Sequence, residues 1–314
     1  MSSKISAILA TILISPVLLS AYVKGGQAPQ RREAGCCMRS PRPERVEFKH
    51  IEANGVGYKN GYSSMTGFFT VPSTLDGSWV PFLELRGHIF NDGKPAVNGG
   101  VGLRYLGDSR IWGFNTFYDY RETHRFHYNQ VGFGFETLGE IWDFRVNAYI
   151  PVGKKSSPSF HTHEVVEDFF MLDTVFSSRH EVAMIGANAE VAAHVLRKEN
   201  YKLYAATGPY YFERQGRVAW GGEGRVALTL FDHVRLQLSG SYDPVFHGIV
   251  QGEVAFMFSF GGKRSIKQSS GCDRRYMIQE RALQKIDRNE IIVVTPKHSK
   301  TKAEPIAPDL LKLE

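Results

Sequence analysis

Residues 97–151 read VNGGVGLRYLGDSRIWGFNTFYDYRETHRFHYNQVGFGFETLGEIWDFRVNAYIP. Across this stretch apolar residues alternate with polar residues or glycine through four successive segments of about ten residues each, the period of β-strands with two unlike faces. In the last segment one face carries Trp142, Phe144, Val146, Ala148 and Ile150, and the other Asp143, Arg145, Asn147 and Tyr149. A soluble sandwich would turn the apolar face inward. An outer-membrane barrel would turn it toward lipid and line a lumen with the polar face.

The same alternation extends outward in both directions. Turn residues punctuate strands expected at 46–53, 61–71, 79–89, 97–106, 110–120, 128–138, 141–151, 182–193, 202–213, 217–230, 232–243 and 247–260. That is about twelve, the even number expected of a barrel. Segment 164–176 reads as a further strand or a short helix. In the last two barrel strands Val234, Leu236, Leu238 and Tyr242 oppose Arg235, Gln237, Ser239 and Ser241, and Val250, Val254, Phe256, Phe258 and Phe260 oppose Gln251 and Glu253. A charge on the lipid face near the midplane costs about 2–4 kcal/mol, so a barrel must sort its charges in this way. Trp79, Phe90, Trp112, Tyr118, Tyr120, Trp142, Tyr149, Tyr210, Tyr211, Trp220 and Tyr242 lie near strand ends, where two interfacial girdles would place them. Tight connections at 107–109, 139–140 and near 231 fall between longer ones. The longest, 152–181, falls on the outer side in this phasing. The fold class expected is all-β: a transmembrane antiparallel barrel.

The flanks differ from the strand region. Residues 1–21 carry Lys4, an apolar run from Ile5 to Leu19 and then Ala21, the pattern of a secretory signal peptide; the run is too short and too interrupted, at Ser15 and Pro16, for a membrane anchor. No later stretch reaches the roughly 18 consecutive apolar residues of a spanning helix. Residues 22–45 form a Gly-, Pro- and Arg-rich lead-in without apolar period. The formal charge is +6, yet the excess sits in this lead-in and in the tail, leaving the strand region slightly acidic. A nucleic-acid surface is therefore not expected. The boundaries expected are 1–21, 22–45, a barrel over 46–261, and a linker or tail over 262–314. Cys36, Cys37 and Cys272 are the three cysteines. Cys272 has either of the others as a candidate partner in an oxidising compartment. Cys36 lacks the upstream Leu of a lipidation site.

Four motifs carry a resemblance: Gly102-Leu103-Arg104-Tyr105-Leu106, Trp112-Gly113-Phe114-Asn115-Thr116-Phe117-Tyr118-Asp119-Tyr120, Val131-Gly132-Phe133-Gly134-Phe135-Glu136, and Trp142-Asp143-Phe144-Arg145-Val146-Asn147-Ala148-Tyr149-Ile150-Pro151. Their order and spacing resemble the translocator barrel of inverse autotransporters, the intimin and invasin group of Gram-negative outer-membrane proteins. Weaker echoes cover Asn188-Ala189-Glu190-Val191, Gly208-Pro209-Tyr210-Tyr211, and Arg288-Asn289-Glu290-Ile291-Ile292-Val293-Val294, the last similar to the family's segment following the barrel. The resemblance implies a twelve-stranded barrel in the outer membrane, acting in type V secretion, with both ends starting in the periplasm and a C-terminal linker threading the lumen to display a passenger for adhesion or invasion. The partners it implies are outer-membrane lipid, the barrel-assembly machinery and periplasmic chaperones. Two features depart from the pattern: the lead-in spans only residues 22–45, and the sequence ends 20 residues after Val294. Adhesion is therefore not carried over with the barrel, and no host partner is specified.

Lumen-facing structural residues are expected to be Arg104, Asn115, Asp119, Glu136, Asp143, Arg145, Asn147, Glu190, Glu223, Arg225 and Glu253, joined by Glu84, Arg86 and Arg235. Their mixed signs suit cross-lumen ion pairs better than a selective pore. Arg288 and Asn289 are the linker residues singled out. Gly100, Gly102, Gly113, Gly132 and Gly134 share the lumen face and read either as room for an inserted segment or as points of strand curvature. Residues 272–287 have helix-forming composition. A helix there would turn Met277, Ile278, Ala282 and Leu283, with Arg274, Arg275 and Arg281, toward the lumen wall; the alternative is a solvated tail in the periplasm.

Catalytic candidates are few. His161-Thr162-His163-Glu164 and Asp119 with His124 and His127 lack further ligands at defined spacing and read as loop or structural residues. No nucleophile elbow, phosphate loop or His-Glu-x-x-His motif occurs. No enzyme activity, metal or cofactor is expected. The leading reading is an anchor and export conduit for the chain's own tail. The alternative is a passive channel or structural barrel.

Overall fold

The computed structural model describes residues 44–71, 74–75, 77–168, 171–198, 200–260 and 277–302. Residues 1–43, where a signal peptide and most of a lead-in are expected, lie outside the described residues, and so do the three cysteines, Arg274 and Arg275: Cys36 and Cys37 fall within 1–43, and Cys272, Arg274 and Arg275 within 261–276.

Twelve strands close into an antiparallel barrel: β1 (Glu44–Glu52), β2 (Tyr62–Thr70), β3 (Trp79–Phe90), β4 (Pro95–Leu106), β5 (Ile111–Glu122), β6 (His127–Leu138), β7 (Trp142–Val152), β10 (Ile185–Arg197), β11 (Tyr201–Arg214), β12 (Arg217–Leu230), β13 (Val234–Asp243) and β14 (His247–Phe260). Each pairs with its chain neighbour, β7 pairs with β10, and β1 closes the ring on β14. Between β7 and β10 lie β8 (Phe160–Asp168) and β9 (Met171–Ala183), a hairpin that joins β15 (Val294–Lys302) in a separate sheet of order β15-β9-β8. Segment 164–176 is thus strand in its described residues. The strand expected at 182–193 is divided, since Val182 and Ala183 close β9 and the barrel strand starts at Ile185 after a break at Met184.

The period-2 pattern sets the faces. On β3, Leu83, Leu85 and Ile89 point outward while Glu84 and Arg86 are almost wholly buried inside. The same inversion runs around the ring: Val101, Phe114, Phe135, Val146 and Val250 are exposed, and Arg104, Asp119, Glu136 and Asp143 are buried. A soluble sandwich would do the opposite; an apolar exterior around a charged interior is the arrangement of a barrel in lipid.

The end at which β1 starts and β14 finishes is here the terminal end, and the opposite one the loop end. Trp79, Trp112 and Trp142 ring the terminal end; Tyr118, Trp220 and Tyr242 ring the loop end, all facing outward. Three of the aromatics expected in these girdles do not belong to them. Phe90, Tyr149 and Tyr210 are buried on the inner face, because their parity within the strand is that of the lumen residues and position along a strand does not override parity. The turns at 107–110, 139–141 and 231–233 fall together at the terminal end and the long 153–184 connection at the loop end. The alternation of short and long connections is not strict, since Gln215 and Gly216 make a two-residue turn at the loop end with both residues at positive φ, the geometry that follows the twist of a hairpin.

Candidate functional site

The lumen is occupied by the chain itself. After a helical turn at 277–281, the polypeptide runs extended through the barrel to β15. At the terminal end Gln279 donates to the Leu75 carbonyl at 2.8 Å, and Arg45 to the Glu280 carbonyl at 3.3 Å. At the loop end Met184 N–H donates to the Val293 carbonyl at 2.9 Å and Val294 N–H to the Gly57 carbonyl at 3.3 Å. The helix ends at Arg281 rather than running on to 287, and the solvated-tail alternative does not describe residues 277–294: Ala282, Leu283, Ile286, Ile291, Ile292 and Val293 are fully buried.

An extended segment without strand partners leaves its carbonyls unbonded, a cost that burial makes severe. The wall supplies the donors. Arg104 donates to the Ala282 and Gln284 carbonyls at 2.6 and 2.7 Å, and Asn98 to that of Glu290 at 2.9 Å. Arg86 and Arg121 donate to the carbonyls of Ile286 and Ile292. Asn147 reaches the Asp287 carbonyl at 3.4 Å, and the Ile286 and Asn289 N–H groups donate to Glu84 and to the Tyr149 hydroxyl at 2.9 and 2.8 Å. Leu283 and Ile286 pack with Phe68, Val80, Phe82 and Phe117.

Side chains of the segment find opposite charges on the wall. Arg281 donates to both Asp143 oxygens at 2.7 and 2.6 Å, and Arg288 to both Asp119 oxygens at 2.7 Å. The Arg288 guanidinium also lies 4.5 Å from the Phe117 ring centroid, so the pair is fork-matched and stacked at once. Lys285 reaches Glu47 at 2.7 Å, Asp287 meets Arg225 at 3.1 Å and Arg145 at 3.4 Å, and Glu290 is held by Lys49 and by Arg86 at 2.7 Å.

Of the wall residues singled out in the sequence, Glu84, Arg86, Arg104, Asp119, Asp143, Arg145, Asn147 and Arg225 touch the threaded segment. Glu136 anchors Arg104 at 2.7 Å, Glu190 bridges Arg145 and Arg225 at 2.8 and 2.9 Å, Glu253 pairs with Arg235 at 2.8 Å, and Glu223 accepts from Asn188 at 3.2 Å. Asn115 is buried beside Gly134. The lumen glycines divide: a Cβ on Gly132 would lie 2.5 Å from the Arg288 guanidinium, whereas those on Gly100, Gly102, Gly113 and Gly134 would strike wall side chains. Only Gly132 among them makes room for the inserted segment.

Several residues that hold the segment were not singled out in advance. Asn98 and Arg121 carry the signal, since they share the inward parity of Gly100 and Asp119, but Arg121 fell past the expected end of its strand. Lys49 and Glu47 sit on β1, whose alternation is weak. The 53–61 connection folds into the mouth, where Gly57, at φ 78°, approaches so closely that a Cβ would lie 2.7 Å from Val293 Cα. Beside it the half-buried Tyr58 hydroxyl accepts from the Gln251 side-chain amide at 2.8 Å, and burial raises its phenol above the ordinary range.

Among the described side chains, the catalytic candidates Asp119, His124 and His127 do not converge on one site. Asp119 gives its oxygens to Arg288, Asn98 and Gln130, while His124 pairs with Asp92 at 2.9 Å in exposed turns and His127 stacks on Phe126. His161 to Glu164 lie on β8 and not in an irregular loop. Among the described residues no group of three or more His, Cys, Asp or Glu is placed to hold a metal ion.

Residues 59–167, from before β2 into β8, match the family model of the inverse autotransporter β-domain. Over these residues the chain is similar to that β-domain. The match, with the apolar exterior, places the barrel in the outer membrane of a Gram-negative bacterium with lipid around its apolar face. A membrane protein solved in a study of in-meso crystallization is similar in fold, with a TM-score of 0.56 at 13% identity over 81% of this chain and 100% of that one. Two further solved structures are more distant: an outer membrane channel from Pseudomonas putida F1 (TM-score 0.42, 12% identity, 74% and 100% of the two chains) and the translocator domain of the autotransporter NalP from Neisseria meningitidis (0.33, 11%, 69% and 89%). No curated protein matches the sequence.

Proposed function

We propose that the barrel anchors the chain in the outer membrane and carries its own C-terminal segment through the lumen to the cell surface. The observation that supports this is the path of residues 277–302, which enter at the terminal end, where both barrel termini lie, and emerge at the loop end. In this reading the terminal end faces the periplasm, residues 1–21 direct export across the inner membrane, 22–45 are a lead-in, and the barrel-assembly machinery and periplasmic chaperones insert the fold. The lumen charges then serve to satisfy the backbone of a transiting chain, which passes with no secondary structure of its own. An epitope placed at the C-terminus tests the reading: it is expected to be accessible to antibody and protease on intact cells, and an epitope reached only after the outer membrane is permeabilised overturns it.

A second reading, a passive channel, draws on one observation. A cavity of about 180 Å³ remains beside the segment, lined by Asn188, Ser239, Ser241 and Gln251 among others. Planar-bilayer recording of the full-length protein separates the two, with step-like open currents expected of the channel and closed traces of the plugged conduit.

A further inference from the structure

We infer that the β9 edge of the β8–β9 hairpin is a strand-acceptor surface whose partner is the polypeptide emerging from the lumen, recognised through its backbone. This rests on the export reading and names the contact that receives the exported segment.

The 153–184 connection is the long one at the loop end, and β8 and β9 within it form a two-stranded hairpin. Such a hairpin is marginal alone, and its open edge invites a third strand. Here that strand is β15, paired with β9 in unbroken antiparallel register from Val294↔Ala183 to Lys302↔Val175. The ladder starts at the mouth itself, where the Met184 N–H bonds the Val293 carbonyl.

The direction of every N–H in β15 follows from three observations. Pro296 has no N–H, so it can sit only where none is needed toward β9. Its partner Glu181 instead exchanges bonds with Ser157, at 2.8 Å each way, on the side of β9 away from β15. Val294, of the same parity as Pro296, donates away from β9 to Gly57. Thr295, Lys297, Ser299 and Thr301 therefore face β9 with their N–H and carbonyl groups, while the Pro296 carbonyl and the N–H and carbonyl groups of His298, Lys300 and Lys302 lie on the outer edge. Backbone pairing of this kind does not depend on the identity of the side chains, so β9 accepts whatever extended segment reaches the mouth. The emerging strand and the hairpin order one another, and the pairing opposes return of the segment into the lumen.

Proline substitutions at adjacent positions test this by parity. Ser299→Pro removes a donor aimed at β9, and His298→Pro removes one aimed outward. In the full-length protein folded in detergent, a lysine-specific protease is expected to cut after Lys300 and Lys302 about tenfold faster or more in Ser299→Pro than in wild type, with His298→Pro like wild type. Equal rates in the two variants overturn the proposal. Truncation after Val293 is expected to expose the hairpin to trypsin at Arg179 while the barrel keeps its heat-modifiable band; a hairpin as resistant as in the full chain also overturns it. The outcome is independent of the epitope test, since a segment kept in the periplasm removes the export reading whichever way the prolines behave.

Discussion

The two halves of the barrel wall treat the threaded segment differently. From β2 to β7, Arg86, Asn98, Arg104, Arg121 and Asn147 bond the segment's carbonyls directly, and Phe68, Phe82 and Phe117 pack against its apolar side chains. From β10 to β14 the described contacts in mid-lumen run through charged tips, as where Arg225 meets Asp287, and short side chains such as Ser239 and Ser241 face the cavity. One wall is therefore a binding surface that is incomplete without its segment. The other is a scaffold that leaves space.

Breaking the binding wall at Asp119 should have the largest effect. Asp119→Ala strands the buried Arg288 guanidinium, and removing one partner of a buried pair costs about 3–5 kcal/mol. The melting temperature of the folded band on a gel should fall clearly, and adding Arg288→Met should recover part of the loss, as coupled partners do. A fall in Asp119→Ala with no recovery in the double variant would mean that the pair is not the source of the effect. Next comes Gly132→Leu, which places a side chain where Arg288 lies. Overpacking of this kind costs about 1–3 kcal/mol, and here it should also raise protease access to the segment without altering insertion of the barrel.

Smallest is Ser239→Leu on the opposite wall. Its added carbons enter the cavity, and the expected change in stability is within about 0.5 kcal/mol. A loss as large as that at Asp119 would erase the distinction between the walls.

How much of this was legible in the sequence follows from the reach of each signal. Strand parity is local, so Glu84, Arg104, Glu136, Asp143 and Arg145 could be assigned to the lumen from their neighbours alone. The same rule, applied strictly, would have moved Phe90, Tyr149 and Tyr210 out of the girdles and brought in Asn98 and Arg121. The partners of those residues were not legible, because Arg288 and Asp119 are 169 residues apart. A mixture of signs in the lumen suggested pairs across the wall, and much of that charge is spent on the backbone and side chains of the threaded segment.

The sequence by itself determined the two-faced strands, their number and the side on which each residue lies, since a period of two is written into every few residues. The tertiary structure alone decided that the segment lies along one wall, that Gly132 rather than its fellow glycines makes room for it, and that β15 completes the β8–β9 hairpin. Those choices rest on packing between distant parts of the chain and on backbone hydrogen bonds, and a backbone hydrogen bond has nearly the same chemistry at every residue.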